Sequence, residues 1–245
     1  MRSHSRQPRR RQPDQTTGLR GCFVTGTDTG VGKTVLAAAI VAGLRARGRS
    51  VKALKPVITG LDEPAPDPDW PPDHELLARA AGCEPDEVKL VGYGPAVSPH
   101  LAAALSGRSL DPSELRAGIR AARAEAETLI VEGVGGLLVP IADGYDVRRL
   151  ARDVGLPILI AARCTLGTLN HTLLTLEAAR AGGLEVLGVV LTPWPPIPGP
   201  IERSNRETLE RLGGVPVSTL PRIARAESRS LAAAARSLPL ARWLG

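Results

Sequence analysis

One stretch near the N-terminus, Val24-Thr25-Gly26-Thr27-Asp28-Thr29-Gly30-Val31-Gly32-Lys33-Thr34, constrains this chain more than any other. It follows the apolar run Cys22-Phe23-Val24 and opens into Val35–Ile40, which reads as a helix. Strand, glycine-rich turn and Gly-Lys-Thr at a helix start form the context of a phosphate-binding loop. Backbone N–H groups and the helix N-terminus then wrap a polyphosphate. Lys33 reaches the β/γ-phosphates, and the Thr34 hydroxyl ligates Mg²⁺. The usual spacing puts glycine at position 27, which is Thr27; the glycine here is Gly26, one residue earlier.

A chain of 245 residues with alternating strand and helix signals is read as one α/β domain, residues 20–245, behind a basic tail, residues 1–19. That tail has five arginines against Asp14 alone and reads as disordered. The body is close to neutral, so no basic footprint points to nucleic acid. No apolar run has the length of a membrane span, and no apolar segment follows the basic N-terminus as in a secretory signal. Cys22, Cys83 and Cys164 are too few and scattered for a disulfide framework or zinc site, which suits a reducing cytoplasm. There are 27 arginines and only four lysines, Lys33, Lys52, Lys55 and Lys89. A composition so biased supplies Arg for generic charge and keeps Lys for point contacts, such as one with phosphate.

The pattern predicts strands at Arg20–Thr25, Val51–Val57 (finishing about Pro56, which cannot donate to a ladder), Thr128–Val131, Leu156–Ala162, Val186–Leu191 and Val215–Ser218. Helices are expected after the phosphate loop as far as Gly48, over His74–Gly82, from an Asp111 cap to about Glu127, near Val147–Val154, from Gly167 to Gly182 and over Ile201–Leu212. The Ala-rich end also reads as helical. The Pro- and Asp-rich stretch before Asp73, Tyr93–His100 and the prolines from Pro193 to Pro200 read as loops. Near-continuous apolar strands imply a parallel sheet with helices on both faces. In such sheets ligands bind beyond the carboxyl ends of the strands, which gathers the phosphate loop, Lys55, Glu132 with Gly133–Gly136, Thr168–Asn170 and Thr192 onto one edge. Glu132, at the end of an apolar strand, is placed to act on a phosphate-bound Mg²⁺. Asp73 is a weaker metal candidate on spacing. His100, His171 and Cys164 receive no role.

The phosphate loop, Lys55-Pro56-Val57-Ile58-Thr59-Gly60, Ser98-Pro99-His100, Val131-Glu132-Gly133-Val134-Gly135-Gly136 and Leu166-Gly167-Thr168-Leu169-Asn170-His171 together resemble the dethiobiotin synthetase family of P-loop NTPases. The resemblance covers Gly21 to about Arg222, and the spacing at Gly26 is the family's own form of the loop. It implies a homodimer that takes ATP, CO₂ and 7,8-diaminopelargonate with Mg²⁺ to dethiobiotin, ADP and phosphate. Lys33 and Lys55 then flank the transferring phosphoryl group, while Thr34, Asp73 and Glu132 hold the metal. The nucleotide contacts implied are Gly30, Val31, Gly32, Lys33, Thr34, Val35, Asp73, Glu132, Gly133, Val134, Gly135, Thr192, Pro193, Leu220, Pro221 and Arg222. The substrate contacts implied are Thr27, Thr59, Ser98 and, from the second subunit, Thr168, Leu169 and Asn170. Where many members carry an adenine-reading Asn, this chain has Thr192, whose single hydroxyl lacks an amide's paired donor and acceptor.

Two other readings remain. A corrinoid amidoligase of the same superfamily would want a glutaminase domain. A chromosome-partitioning ATP switch would want a lysine at Asp28.

Overall fold

The computed structural model describes residues 20–64 and 70–245. The basic segment 1–19 and the middle of the Pro- and Asp-rich loop lie outside them. Nine strands are described: β1 (Arg20–Gly26), β2 (Val51–Ile58), β3 (Lys89–Gly92), β4 (Thr128–Glu132), β5 (Pro140–Ala142), β6 (Tyr145–Asp146), β7 (Ile158–Ala162), β8 (Val186–Trp194) and β9 (Val217–Pro221). Seven form one sheet in the order β3-β2-β4-β1-β7-β8-β9, and every pairing within it is parallel. The expected α/β doubly covered sheet is therefore what the chain forms. A small antiparallel hairpin, β5–β6, stands beside it.

Among the described residues nine α-helices accompany these strands: α1 (Lys33–Arg45), α2 (Asp73–Ala81), α3 (Pro99–Leu105), α4 (Pro112–Ala124), α5 (Val147–Val154), α6 (Thr168–Ala181), α7 (Pro200–Gly213), α8 (Ser228–Ala234) and α9 (Leu240–Leu244). Successive strand side chains point to opposite faces, and the core divides accordingly. Cys22 and Val24, with Ile130 and Leu159, pack beneath α1, α2, α8 and α9. Phe23, with Leu129, Val131 and Ile160, packs beneath α3 to α7. Aliphatic burial on both faces is the main source of stability, at about 25 cal/mol per Å² of apolar area removed from water. It fixes the strands whose ends carry the site.

Several boundaries depart from expectation. β2 runs through Pro56 to Ile58, because its ladder with β4 ends at Leu54. Lys55 N–H donates to Val88 O at 2.8 Å on the β3 side. The missing donor of Pro56 therefore falls on the side where pairing has already stopped. Tyr93–His100 is not all loop, since Ser98 is the residue before α3 and His100 lies in the helix's first turn. α4 stops at Ala124, short of Glu127; Asp111 caps it by accepting from Ser113 N. β8 continues through Thr192 and Pro193 to Trp194, and β9 sits two residues later than expected, with Trp194 opposite Pro221.

Candidate active site

The phosphate loop connects β1, between β4 and β7 in the sheet, to α1. Gly32, the residue before α1, has φ +93°, a left-handed conformation costly for any side chain. A Cβ there would also lie 2.8 Å from Thr192 Cγ2, so Gly32 is required twice over. The first helical bond runs from Leu36 N to Gly32 O at 2.9 Å. Among the described residues, the N–H groups of Gly32, Lys33, Thr34 and Val35 have no backbone partner. Four free donors at a helix N-terminus make an anion cradle.

Strand order brings the distant polar side chains to this cradle. β4 lies between β2 and β1, so Glu132 at its end faces Lys55 on one side and the phosphate loop on the other. Lys55 Nζ donates to Glu132 Oε1 at 2.8 Å and also bonds Asp73 Oδ2 at the start of α2. Thr34 Oγ1 donates to the same Glu132 oxygen, also at 2.8 Å. Glu132 is 1% exposed and Lys55 5%, so this is a buried ion pair whose charges depend on each other. Lys33 is buried too, but its Nζ donates to the Asp28 carbonyl at 2.8 Å rather than to a carboxylate.

The two lysines accordingly titrate in opposite directions. Burial pulls Lys33 below the ordinary lysine range despite the nearby carboxylates. Burial acts the same way on Lys55, but Glu132 and Asp73 outweigh it and hold this ammonium above that range. Burial works to raise Asp73, yet the Lys55 ammonium keeps its carboxyl low. Burial raises Glu132 against the pull of Lys55.

The donor set also fits a hard cation. Thr34, Asp73 and Glu132 offer only oxygen ligands, and Glu132 Oε2 is buried with no hydrogen-bond partner. Two carboxylates and a hydroxyl are too few for an all-protein cage, and among the described residues no cluster of three His, Cys, Asp or Glu exists. Such a set suits Mg²⁺ completed by phosphate oxygens and water.

The remaining expected residues fall into groups. Gly133–Gly135 follow Glu132 directly, and a Cβ on Gly133 would meet the Phe23 ring at 3.0 Å. Thr192 is 2% exposed and packs its methyl toward Gly32. Pro193 and Pro221–Arg222 stand together, with Arg222 N donating to Trp194 O at 3.2 Å, while Leu220 is in the core. Gly30, Val31 and Val35 belong to the loop and the start of α1. Thr27 and Thr59 are half-buried beyond β1 and β2, and Ser98 immediately precedes α3 without a side-chain capping bond. Thr168, Leu169 and Asn170 begin α6, and the hydrogen-bonded cluster around Lys55 does not include them.

Two residues escaped the sequence reading. Arg163, just past β7, donates Nη2 to Thr29 O at 3.3 Å, at the loop tip. Its strand-end position is the signal that would have found it. Asn205 on α7 is buried and donates to Cys164 O at 3.0 Å, a tertiary tether that nothing in the local sequence announces.

Residues 20–228 match the AAA domain family. The ATP-dependent dethiobiotin synthetase BioD of Aromatoleum aromaticum is 36% identical over 90% of this chain and 98% of the relative. That of Mycobacterium avium is 43% identical over 78% of this chain and 83% of the relative. A ParA family ATPase from Chlorobium tepidum superimposes with TM-score 0.51 at 14% identity, covering 91% of this chain and 93% of that one. A cobyrinic acid a,c-diamide synthase from Mycobacterium smegmatis gives TM-score 0.52 at 19% identity, covering 91% and 94%. These two likenesses carry the fold alone.

Proposed function

The chain belongs to the ATP-dependent dethiobiotin synthetase family, ligases of biotin biosynthesis, and we propose that it uses ATP to join CO₂ to 7,8-diaminopelargonate and close a ureido ring. The observation that carries this reading is the buried Lys55–Glu132–Thr34 cluster beside a phosphate cradle. Its chemistry is phosphoryl transfer, which asks a protein for position and positive charge rather than covalent help.

On this reading an amine of the substrate captures CO₂ as a carbamate. Lys33 and the N–H groups of Gly32–Val35 hold the triphosphate. Thr34, Asp73 and Glu132 would hold Mg²⁺, which when bound would supply positive charge to the phosphate oxygens. Lys55 offers its ammonium where the γ-phosphoryl group meets the carbamate oxygen. The second amine then displaces phosphate and closes the ring. A carbamate hydrolyses readily, so exclusion of water at this edge favours product.

We assign Thr27, Thr59 and Ser98 to the diamine, and the start of α6 to the substrate carboxylate of a neighbouring subunit in a homodimer. Supporting that assembly, Leu169 and Asn170 N–H groups lack backbone partners among the described residues, and Leu166 beside them is 94% exposed. Thr192, turned toward Gly32, leaves base recognition to Pro193 and to the Leu220–Arg222 segment. Three free cysteines favour the cytoplasm as the site of action. Among the described residues no helix is long and apolar enough to cross a membrane.

The test is incorporation of labelled bicarbonate into an acid-stable product. The reading requires both ATP and diaminopelargonate for incorporation. ATP hydrolysis that ignores the diamine and answers only to a macromolecular partner would favour the switch-protein alternative instead.

A further inference from the structure

Lys55 has two demands placed on it that one position cannot satisfy. As a phosphoryl-transfer lysine it must face substrate. In the structure its Nζ instead lies between Glu132 Oε1, at 2.8 Å, and Asp73 Oδ2. Those two carboxylates and Thr34 are the same three groups that fit Mg²⁺. The Thr34 hydroxyl spends its proton on the same Oε1 atom, 2.8 Å away. The metal set is therefore already occupied by an ammonium and a hydroxyl hydrogen bond, which together offset one of its two negative charges.

We propose that Lys55 is the resident counter-cation of the metal position, and that metal loading releases its ammonium toward the phosphoryl group. The inference rests on the Mg²⁺ assignment above. Its physical basis is charge. A carboxylate as buried as Glu132 is held only with a compensating cation, so the metal-free protein needs one. A divalent ion and an ammonium competing for the same oxygen repel each other strongly where water is excluded. One of the two leaves. The lysine is the one equipped to move, since its compact charge rides on a flexible four-carbon stem. Its backbone stays fixed by the Lys55 N–H bond to Val88 O at 2.8 Å, so a side-chain rotation suffices. Arginine dominates this composition, yet its planar fork would bind the carboxylates in two-pronged fashion and surrender them less readily. Nucleotide arriving without metal thus meets a lysine that is already occupied, and metal loading and lysine availability become one event.

The structure also defines the rival outcome. Glu132 Oε2 is buried and unpartnered, so a cation could settle there while Lys55 kept Oε1. Two measurements separate these cases. The first is calorimetric titration of Mn²⁺ into the nucleotide-free full chain. Lys55→Met should bind Mn²⁺ at least tenfold more tightly than wild type, because no resident cation remains to be displaced, whereas Lys55→Arg should bind no more tightly than wild type. Binding by Lys55→Met that equals or falls below wild type overturns the proposal.

The second needs no variant to fold. The chain has only four lysines, so selective ¹³C labelling gives four resolvable ε-methylene signals. Adding Mg²⁺ to the protein with ADP should shift the Lys55 signal and leave Lys52 and Lys89 in place. A Lys55 signal that stays put while Mg²⁺ is bound overturns the displacement. Neither measurement contains diaminopelargonate, so a failure of ring closure and a failure of this exchange are read separately.

Discussion

Two regions share the carboxyl edge of the sheet and differ in kind. Around β1, β2 and β4 the chain supplies partners for its own charges: Lys55 pairs with Glu132 and Asp73, and Thr34 with Glu132. Around the end of β7 and the start of α6, donors and apolar side chains are left facing outward, Leu166 above all. The first region is complete within one chain and can be costly to disturb. On the proposed homodimer reading, the second is half a site that a second subunit would finish. Burial thus separates what the fold must hold together from what assembly can add.

The first region should break hardest. Glu132→Ala leaves the buried Lys55 ammonium with Asp73 alone, and since stranding a buried charge outright costs about 3–5 kcal/mol, the loss here should reach at most that range. Urea unfolding of metal-free protein should show that loss; a change below about 1 kcal/mol would mean that water already reaches the pair. In the second region, Leu166→Asp should leave the fold intact but weaken the proposed dimer, lowering activity about tenfold at dilute protein. Sedimentation beside turnover checks this, and a monomer as active as wild type would remove α6 from the substrate site.

Base choice probes the boundary between the regions. With Thr192 packed toward Gly32, discrimination should fall by about 1–3 kcal/mol relative to an amide reader, by analogy with base readout in nucleic acids. Comparing kcat/KM for ATP, CTP and GTP measures it directly. A preference for ATP above roughly a thousandfold would contradict this reading. Smallest of all, deleting residues 1–18 should leave melting temperature and turnover nearly unchanged, the expectation for a segment of such polar and basic composition. A fall of more than a few degrees would show that the tail packs on the domain.

The contrast also explains what the sequence alone disclosed. The phosphate loop, the end of β4 and the start of α6 carry local signals: glycines where φ is positive, and apolar runs where both faces are covered. β3 does not, because Lys89–Gly92 is an edge strand with no strong apolar run and Leu90 exposed. Hairpin β5–β6 is too short to show a period. Ser98-Pro99 bears the same start signal as Asp111-Pro112, but only seven residues follow from it. The partnership of Lys55 with Glu132 spans 77 residues and exists only because β4 lies beside β2. The sheet rule could bring both to one edge, whereas their hydrogen bond depends on register. Pro56 misled because a proline ends a strand only where a neighbour awaits its N–H, whereas β8 passes Pro193 by shifting its register against β9 between Leu191 and Trp194.

The most direct test of the account is to separate the two lysines. Lys33 belongs to the cradle and Lys55 to the charged cluster, so their losses should differ in kind. Lys55→Arg keeps the charge but replaces a compact ammonium with a wide planar group. Titration with a non-hydrolysable triphosphate and Mg²⁺ should show binding close to wild type, while kcat falls at least ~100-fold, or about 3 kcal/mol. Lys33→Ala should weaken nucleotide binding and turnover together. Normal turnover by Lys55→Arg would contradict the account, reducing the cluster around Glu132 to a structural ion pair.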